Sequence, residues 1–406
     1  MRIVWSLPVR GARLGSSRGD LVRARHLIEA LRSNGHQVIP VEDATHAATR
    51  TAVTTCRSWL RRLPRCRPVL ALRDLGRCAH GCLHGIRIAG VARASKADLI
   101  VETQVAYTIS GAIGSWAADI PLVLDDCSPS SEERAFGTGL PSLARAALAL
   151  QGRSARRVVA VSPSLVDLLV ADGVPRQKIV CVPNGIDIDA FGRLAADHRP
   201  PELAGRCVVC FVGSFQPWHR VDLLAEALAA LPGRSPIHVV LAGEGPGLET
   251  ALRTAAQLGV RERITYLGAV RPEAVPALLA SCDIGVMPHS NAYGDPMKLR
   301  DYAGAGLPAV APDLAPIRTV VEHESTGLLF PPGDVAALAR ALTRLAADPA
   351  ERRRQGDRAR RRAREGWSWQ ERGRELLAAA ALEPSPTSLT NLPVRCSETG
   401  QPAPGR

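Results

Sequence analysis

The chain opens with a short continuous apolar run, RIVWSLP at 2–8, and after a Gly/Ser/Arg loop the spacing of apolar positions changes. Leu21, Ala24, Leu27, Ile28 and Leu31 recur every three or four residues, which puts them on one face of a helix. A glycine turn in NGHQVIPV ends that helix and begins a second apolar run. Strand, helix, strand in this order predicts a βαβ unit with parallel strands. ADLIVET, IPLVLDD and RVVAVSP continue the series, separated by helical stretches. Such nearly continuous runs suit strands covered by helices on both faces. A first doubly wound lobe is expected over 1–185.

Periodicity is lost in VPNGIDIDAFGRLAADHRPPELAGR, which gathers Pro, Gly and Asp, so 186–206 is expected to be a linker. A second alternation starts at CVVCFVGSF and passes through IHVVLAGEGPG, RITYLGAV, DIGVMPH and PAVAPD, predicting a second lobe over 207–367. WSWQERGRELLAAAALE predicts a closing helix over 368–382. The remainder, 383–406, is rich in Pro, Ser and Thr and is expected to be disordered.

Composition changes this picture little. At 46% hydrophobic and 22% charged residues, with no apolar run near the roughly 20 residues of a membrane span, the chain reads as soluble and globular. The opening MRIVWSLPVRG has too short an apolar core for a signal peptide, and the expected location is the cytoplasm. The ten cysteines then read as core thiols, Cys207 and Cys210 among them. Cys78, His80, Cys82 and His84 in CAHGCLHG have metal-ligand chemistry but would have to converge from one short segment, and no metal is expected.

The net charge of +12 is concentrated in two arginine clusters, 57–77 and 351–367. Neither is interleaved with aromatics for base stacking, so nucleic acid is not an expected partner. The second cluster reads as a solvated helix face. The first mixes Leu, Trp and Val with Arg, and is expected to make weak peripheral contact with an anionic membrane face.

Candidate chemistry gathers in post-strand loops of the second lobe. Ligands of open parallel sheets bind at the carboxyl ends of strands, where helix N-termini offer free N–H groups to anions. FVGSFQPWHR carries Gly213 and Ser214, LAGEGPG carries Gly243, and GDPMKLRD leads into a helix whose first turn holds Lys298. Asp301 follows one helical turn later on the same face, so a lysine for a diphosphate and an acid for a ribose diol stand side by side.

Taken together, the loop from Gly15 to Gly19, VVAVSPSLVDLLVADGVPRQKIVCVPNGIDIDAF, FVGSFQPWHRVDLLAEAL, LAGEGPG, LGAVRPEAVPALLASCDIGVMPH, PMKLRDYAGAGLPAVA and STGLLFPPGD resemble glycosyltransferase family 4 over nearly the whole chain to about residue 382. The resemblance implies the α/β GT-B fold: two doubly wound Rossmann-like lobes facing each other across a cleft, with the C-terminal helix crossing back to the first. It implies a retaining transfer of a hexose-type sugar from a nucleoside-diphosphate sugar, UDP first among the bases, to a hydroxyl acceptor, either a small natural product or a cell-envelope glycan. No metal or other cofactor is implied; the nucleotide sugar is a co-substrate.

By the same resemblance Asp301 takes the place of a ribose-binding glutamate, one methylene shorter. Backbone N–H groups from Met297 to Leu299 and the Lys298 ammonium would hold the phosphates, with Pro296 beside them in the donor site, and Val270 would contact the base. Gly15, Gly213 and Gly243 belong to the donor loops. The chain departs from the family at Ser214 and His219, where Arg and Lys are common, at Arg220, where Gly is usual, and at Tyr293, where a sugar-binding glutamate is displaced to Asp295. In the first lobe Asp125, in VLDDCSPSSEE with Glu132 and Glu133 after it, is the expected acceptor-side base, so that Asp125, Lys298 and Asp295 form the expected catalytic set. These departures leave a second reading, a non-catalytic GT-B protein that binds a nucleotide sugar or a partner enzyme.

Overall fold

The apolar runs become two all-parallel six-stranded sheets. The computed structural model describes residues 1–9, 13–15, 18–43, 67–131, 139–192, 199–233 and 235–381. The first sheet has the order β2-β1-β3-β4-β5-β6 and the second β12-β11-β10-β7-β8-β9. In the first lobe the strands are β1 (Arg2–Leu7), β2 (Gln37–Glu42), β3 (Leu99–Thr103), β4 (Leu122–Asp126), β5 (Arg157–Ala160) and β6 (Ile179–Cys181). Its helices are α1 (Gly19–Ser33), α2 (Arg67–Ser95), α3 (Ser110–Ala118), α4 (Pro141–Ser154) and α5 (Pro163–Ala171).

The second lobe holds β7 (Cys207–Val212), β8 (Ile237–Ala242), β9 (Ile264–Tyr266), β10 (Ile284–Val286), β11 (Ala309–Pro312) and β12 (Gly327–Phe330). The segment between the sheets is not wholly irregular, since it contains α6 (Ile188–Gly192) and a 3-10 turn at Pro201–Leu203. Helices α7 (Asp222–Ala230), α8 (Leu248–Gln257), α9 (Val275–Ala280), α10 (Met297–Ala305), α11 (Ala315–Arg318), α12 (Val335–Ala347) and α13 (Pro349–Arg364) cover the second sheet, and α14 (Trp369–Ala381) follows.

Local sequence explains the helix starts. Ser162 caps α5 by accepting the Leu165 N–H at 3.1 Å, with Pro163 in the first turn, where its missing N–H costs nothing. Asp334 caps α12 in the same way through the Ala337 N–H at 2.8 Å. Helix α14 leaves the second lobe and packs on α1 of the first: the His26 ring stacks on Trp369 at 5.0 Å with a 4° interplanar angle, and Leu376 joins the first-lobe core. Just before it, the Ile186 N–H donates to Trp367 O at 2.7 Å.

Cys78, His80, Cys82 and His84 fall within α2, a 29-residue helix, where residues two apart point to opposite sides. His80 lies beside Asp43 at 3.2 Å and His84 Nε2 meets Ser6 Oγ at 3.2 Å. Among the described residues no group of three or more such side chains is placed to hold a metal. Cys207 and Cys210 are buried in β7, and burial pushes both thiols up, Cys207 to about 11. The arginines of 351–364 line a helix whose buried side is Gln355, Gly356, Ala359 and Ala363. Residues 57–66 of the first basic cluster lie outside the described residues, as do Glu132, Glu133 and the tail 383–406. No helix among the described residues is long and apolar enough to cross a membrane.

A buried polar chain joins the lobes. Arg23 lies on the apolar face of α1, 1% exposed, and its guanidinium donates to Asp125 at 2.9 and 3.0 Å. The same group donates to Val182 O, to Pro183 O and to Asn184 Oδ1. Asn184 reaches the second lobe: its backbone N–H donates to Asp295 Oδ2 at 2.6 Å and its amide to Asp295 O at 2.7 Å. Arg300 of α10 holds Asp295 at 2.9 and 3.1 Å and lies over the Trp367 ring at 4.8 Å. Each charge in the chain is both paired and hydrogen-bonded, the condition under which buried ions are tolerated.

Asp125→Ala strands the Arg23 guanidinium in that interior. The expected cost is roughly 3–5 kcal/mol in the urea-unfolding transition of the first lobe; a stability equal to wild type would show that Arg23 finds water or another partner.

Candidate functional site

In the second sheet the strand order reverses between β7 and β10, since β7 is followed outward by β8 and β10 by β11. Open parallel sheets leave a crevice at such a reversal, outside the carboxyl ends of the strands. Here β7 runs into Gly213 and Ser214, and β10 into the 287–296 loop that feeds α10. Tyr302 of α10 fastens the two sides: its hydroxyl accepts the Val212 N–H and donates to Val286 O, both at 3.2 Å.

Helix α10 has Pro296 at its N-cap and no side-chain cap; its Met297 and Lys298 N–H groups have no intrahelical partner at the crevice, while the Leu299 N–H closes a turn on Pro296 O at 3.2 Å. Lys298 in its first turn points back over β7. Its Nζ lies 4.0 Å from the centre of the Phe211 ring and 3.3 Å from His219 Nε2. His219 Nδ1 is 2.6 Å from Ser214 O, so it carries the proton and leaves Nε2 to accept from the lysine. Burial, then the lysine charge, push the imidazole down to about 3, so it is neutral. Burial also pushes Lys298 down to about 7 and Asp301 up to about 7. The crevice thus holds a lysine and a carboxylate whose charges both change near neutrality.

The neighbouring loop completes the floor. Gly243 ends β8 with φ +131, and its N–H donates to Gly268 O at 2.7 Å, while the Gly213 N–H donates to Ala242 O at 2.9 Å. A Cβ on Gly243 would lie 1.9 Å from Gly213 O, so only glycine lets these loops meet. Gly243→Ala is expected to displace the 213–215 loop and to abolish nucleotide binding measured by calorimetry, with the fold retained in circular dichroism. Wild-type affinity in that variant would mean the 213–215 loop is not part of the site.

The structure brings together Gly213, Ser214, His219, Gly243 and Lys298: His219 joins Ser214 O to the lysine, a Cβ on Gly213 would lie 3.2 Å from Lys298 Cε, and Gly243 packs on Gly213. Pro296, Met297 and Leu299 begin α10, the Leu299 side chain in the core, and Asp301 follows within electrostatic reach of Lys298. Ser214 contributes its carbonyl to His219. Val270, after β9, is half-buried, two residues beyond the Gly268 carbonyl that accepts the Gly243 N–H. Gly15 lies in a first-lobe turn next to Leu14, whose N–H donates to Glu42 Oε1 at 2.9 Å. The same first-lobe loop reaches the crevice at Gly19, where a Cβ would lie 3.7 Å from Met297 Cε.

Three expectations need correction. Asp125 is 0% exposed and bound on both carboxylate oxygens by Arg23, so it is a counter-ion and has no path to an acceptor hydroxyl. Asp295 is equally committed to Arg300 and Asn184, and it fixes the loop that precedes α10 and does not face a sugar. Arg220 is half-exposed and directed to Asp222 at 2.8–3.1 Å. Its φ of +43 is the left-handed conformation, which accounts for the glycine usual at that position. Sequence reasoning missed Arg23, Asn184, Arg300 and Tyr302. Arg23 had a signal, because it falls inside the apolar stripe of α1, where an unpaired cation is costly.

Residues 21–190 match the family model described as Glycosyltransferase Family 4, and residues 206–348 the model described as Glycosyl transferases group 1. A D-inositol 3-phosphate glycosyltransferase of Nocardia farcinica is 34% identical over 52% of this chain and 49% of its own length. A GDP-mannose-dependent alpha-(1-6)-phosphatidylinositol monomannoside mannosyltransferase of Mycolicibacterium smegmatis is 28% identical over 61% of this chain and 68% of its own. The chain spans about half the length of the first curated relatives it matches. Among solved structures, Anabaena HepE in complex with UDP and glucose superposes with a TM-score of 0.69 at 19% identity, covering 93% of this chain and 98% of that one. Sucrose-phosphate synthase from Thermosynechococcus elongatus gives 0.65 at 18% identity over 93% and 99%. These two likenesses establish the fold. With the two family models matched in order along the two lobes, the chain belongs to the GT-B glycosyltransferases of family 4 and group 1.

Proposed function

We propose that this protein is a retaining glycosyltransferase that moves a hexose-type sugar from a nucleoside-diphosphate sugar to a hydroxyl acceptor. The observation that carries the reading is the convergence, at one sheet reversal, of the uncapped N-terminus of α10, the Lys298 ammonium and the Asp301 carboxyl. As the sugar–phosphate bond breaks, negative charge grows on the departing diphosphate. N–H groups already aimed at that position stabilise it without reorganising. Lys298 adds a point charge that its contacts to Phe211 and His219 hold above β7. Asp301, one turn further, accepts from the ribose hydroxyls. In this proposal protein groups supply the positive charge, so the reaction needs no metal.

The acceptor enters from the first lobe, whose strand ends face the crevice across Asn184 and Met297. Closure of the lobes on the donor keeps out the water that would otherwise hydrolyse it. UDP is the first base to test, supported by the UDP held in Anabaena HepE; GDP follows, because the mannosyltransferase relative is named for GDP-mannose. A hydroxyl on a small natural product or on a cell-envelope glycan is the acceptor class. The second reading, a non-catalytic nucleotide-sugar binder, is favoured by one observation: Ser214 and a neutral His219 stand where two cations are expected.

Donor hydrolysis across UDP-, GDP-, ADP- and dTDP-sugars separates the two. The transferase reading expects slow release of one nucleoside diphosphate, reduced roughly 10²–10³-fold in Lys298→Met. Tight nucleotide-sugar binding with no turnover in the presence of any acceptor tried would favour the binder.

The pH profile follows from the two shifted groups. Lys298, pushed down to about 7, carries its charge below that pH and loses it as pH rises, so kcat/KM for the donor should fall on the alkaline side from about 7. Asp301, pushed up to about 7, is protonated below it, which gives the acid limb. Lys298→Arg, charged at every accessible pH, should remove the alkaline limb alone; a wild-type profile flat from pH 6 to pH 9 would contradict the assignment.

A further inference from the structure

Helix α2 presents a face that no other described residue covers. Leu72, Leu75, Leu83 and Ile86 are 62%, 51%, 68% and 63% exposed, and Ala79 and Gly90 between and after them are exposed as well. Spacings of three, four and seven residues place them in one stripe along the helix, about 21 Å from Leu72 to Ile86. Scattered exposed leucines are ordinary, but four in a line on one helix are an interaction surface.

Charge identifies the partner. The described basic side chains of α2 are Arg73, Arg77, Arg87 and Arg93; Arg77 lies beside Asp74 at 3.6 Å, while Arg87 and Arg93 are exposed along the lower half of the stripe, each giving one N–H to a backbone carbonyl, Glu42 O and Ala117 O. The single acid of the helix, Asp74, is buried and accepts the Gly139 and Leu140 N–H groups at 2.9 and 3.0 Å. The helix surface is therefore apolar and cationic, with no exposed carboxylate. Packed on a second copy of itself it would set arginine against arginine with no acid to pair them. A surface of lipid phosphates supplies both what the stripe and what the arginines lack.

The placement of the helix also fits. Ser6, near the carboxyl end of β1, meets His84. Residues 67–83 therefore run beyond the strand ends, on the side of the first lobe that borders the crevice. We propose that this face of α2 docks on an anionic lipid surface, with Leu72, Leu75, Leu83 and Ile86 at the boundary of headgroups and acyl chains and the arginines among the phosphates. The proposal does not depend on the transferase reading.

The test is flotation of the full chain with phosphatidylcholine vesicles, with and without phosphatidylglycerol, at low and high salt. Wild type should float with the anionic vesicles, should stay with the soluble fraction when the vesicles are neutral, and should be released by salt, because the charge contribution is screened. The variant Leu72→Ser, Leu75→Ser, Leu83→Ser, Ile86→Ser changes only exposed positions and should keep the wild-type melting temperature and nucleotide affinity while losing more than about tenfold in partitioning. Variant and wild type binding alike would place any lipid contact elsewhere and overturn the proposal. So would a wild type that ignores both vesicles, or one that is dimeric by light scattering and becomes monomeric in the variant.

Discussion

The Arg23 guanidinium is the constraint on which the rest of the molecule turns. A cation 1% exposed, inside the apolar face of a helix, is stable only if every donor is met. Asp125 meets it from β4, and the remaining donors reach the carbonyls of Val182 and Pro183 and the side chain of Asn184, where the chain leaves the first sheet. Asn184 in turn is spoken for by Asp295, and Asp295 by Arg300. The demand of one buried charge is passed from the first sheet to the helix that carries Lys298. Pairing at each step ties the segment where the chain leaves the first sheet to the loop before α10.

That arrangement explains why the crevice can be sparse in cations. Tyr302 pins α10 to the ends of β7 and β10, and the Asp295–Arg300 pair fixes the loop before it, so the helix N-terminus is held in place before any ligand arrives. Preorganised N–H groups do not have to be reoriented as charge develops against them. Lys298 needs a neighbour that does not repel it, and a neutral imidazole held by Ser214 O is such a neighbour. The substitution of His219 for a second cation thus makes physical sense with a lysine arriving from α10.

Ten of the twelve strands were legible, because strands buried on both faces read as unbroken apolar runs. The two that were not, β6 and β12, lie at the edges of the two sheets, where the short runs KIVCVP and TGLLFPP sit inside Pro/Gly-rich segments that read as turns. At the site, glycines and Lys298 were legible as loop chemistry, whereas Asp125 and Asp295 were misread. A strand-end acid looks the same in sequence whether it faces a substrate or a guanidinium, and Arg23 lies 102 positions from Asp125. Asn184 and Asp295 are 111 positions apart, so their hydrogen bonds exist only once both lobes have formed. His219 was legible as a departure, but not its tautomer, which depends on a carbonyl five residues back.

The proposed reaction requires a nucleoside diphosphate at the reversal between β7 and β10, against the N-terminus of α10. Amide hydrogen exchange of the full chain with and without UDP or GDP tests it most directly. Slowed exchange confined to 213–215 and 297–299 is the expected result; slowing that leaves both segments unchanged while protecting another part of the chain would contradict it.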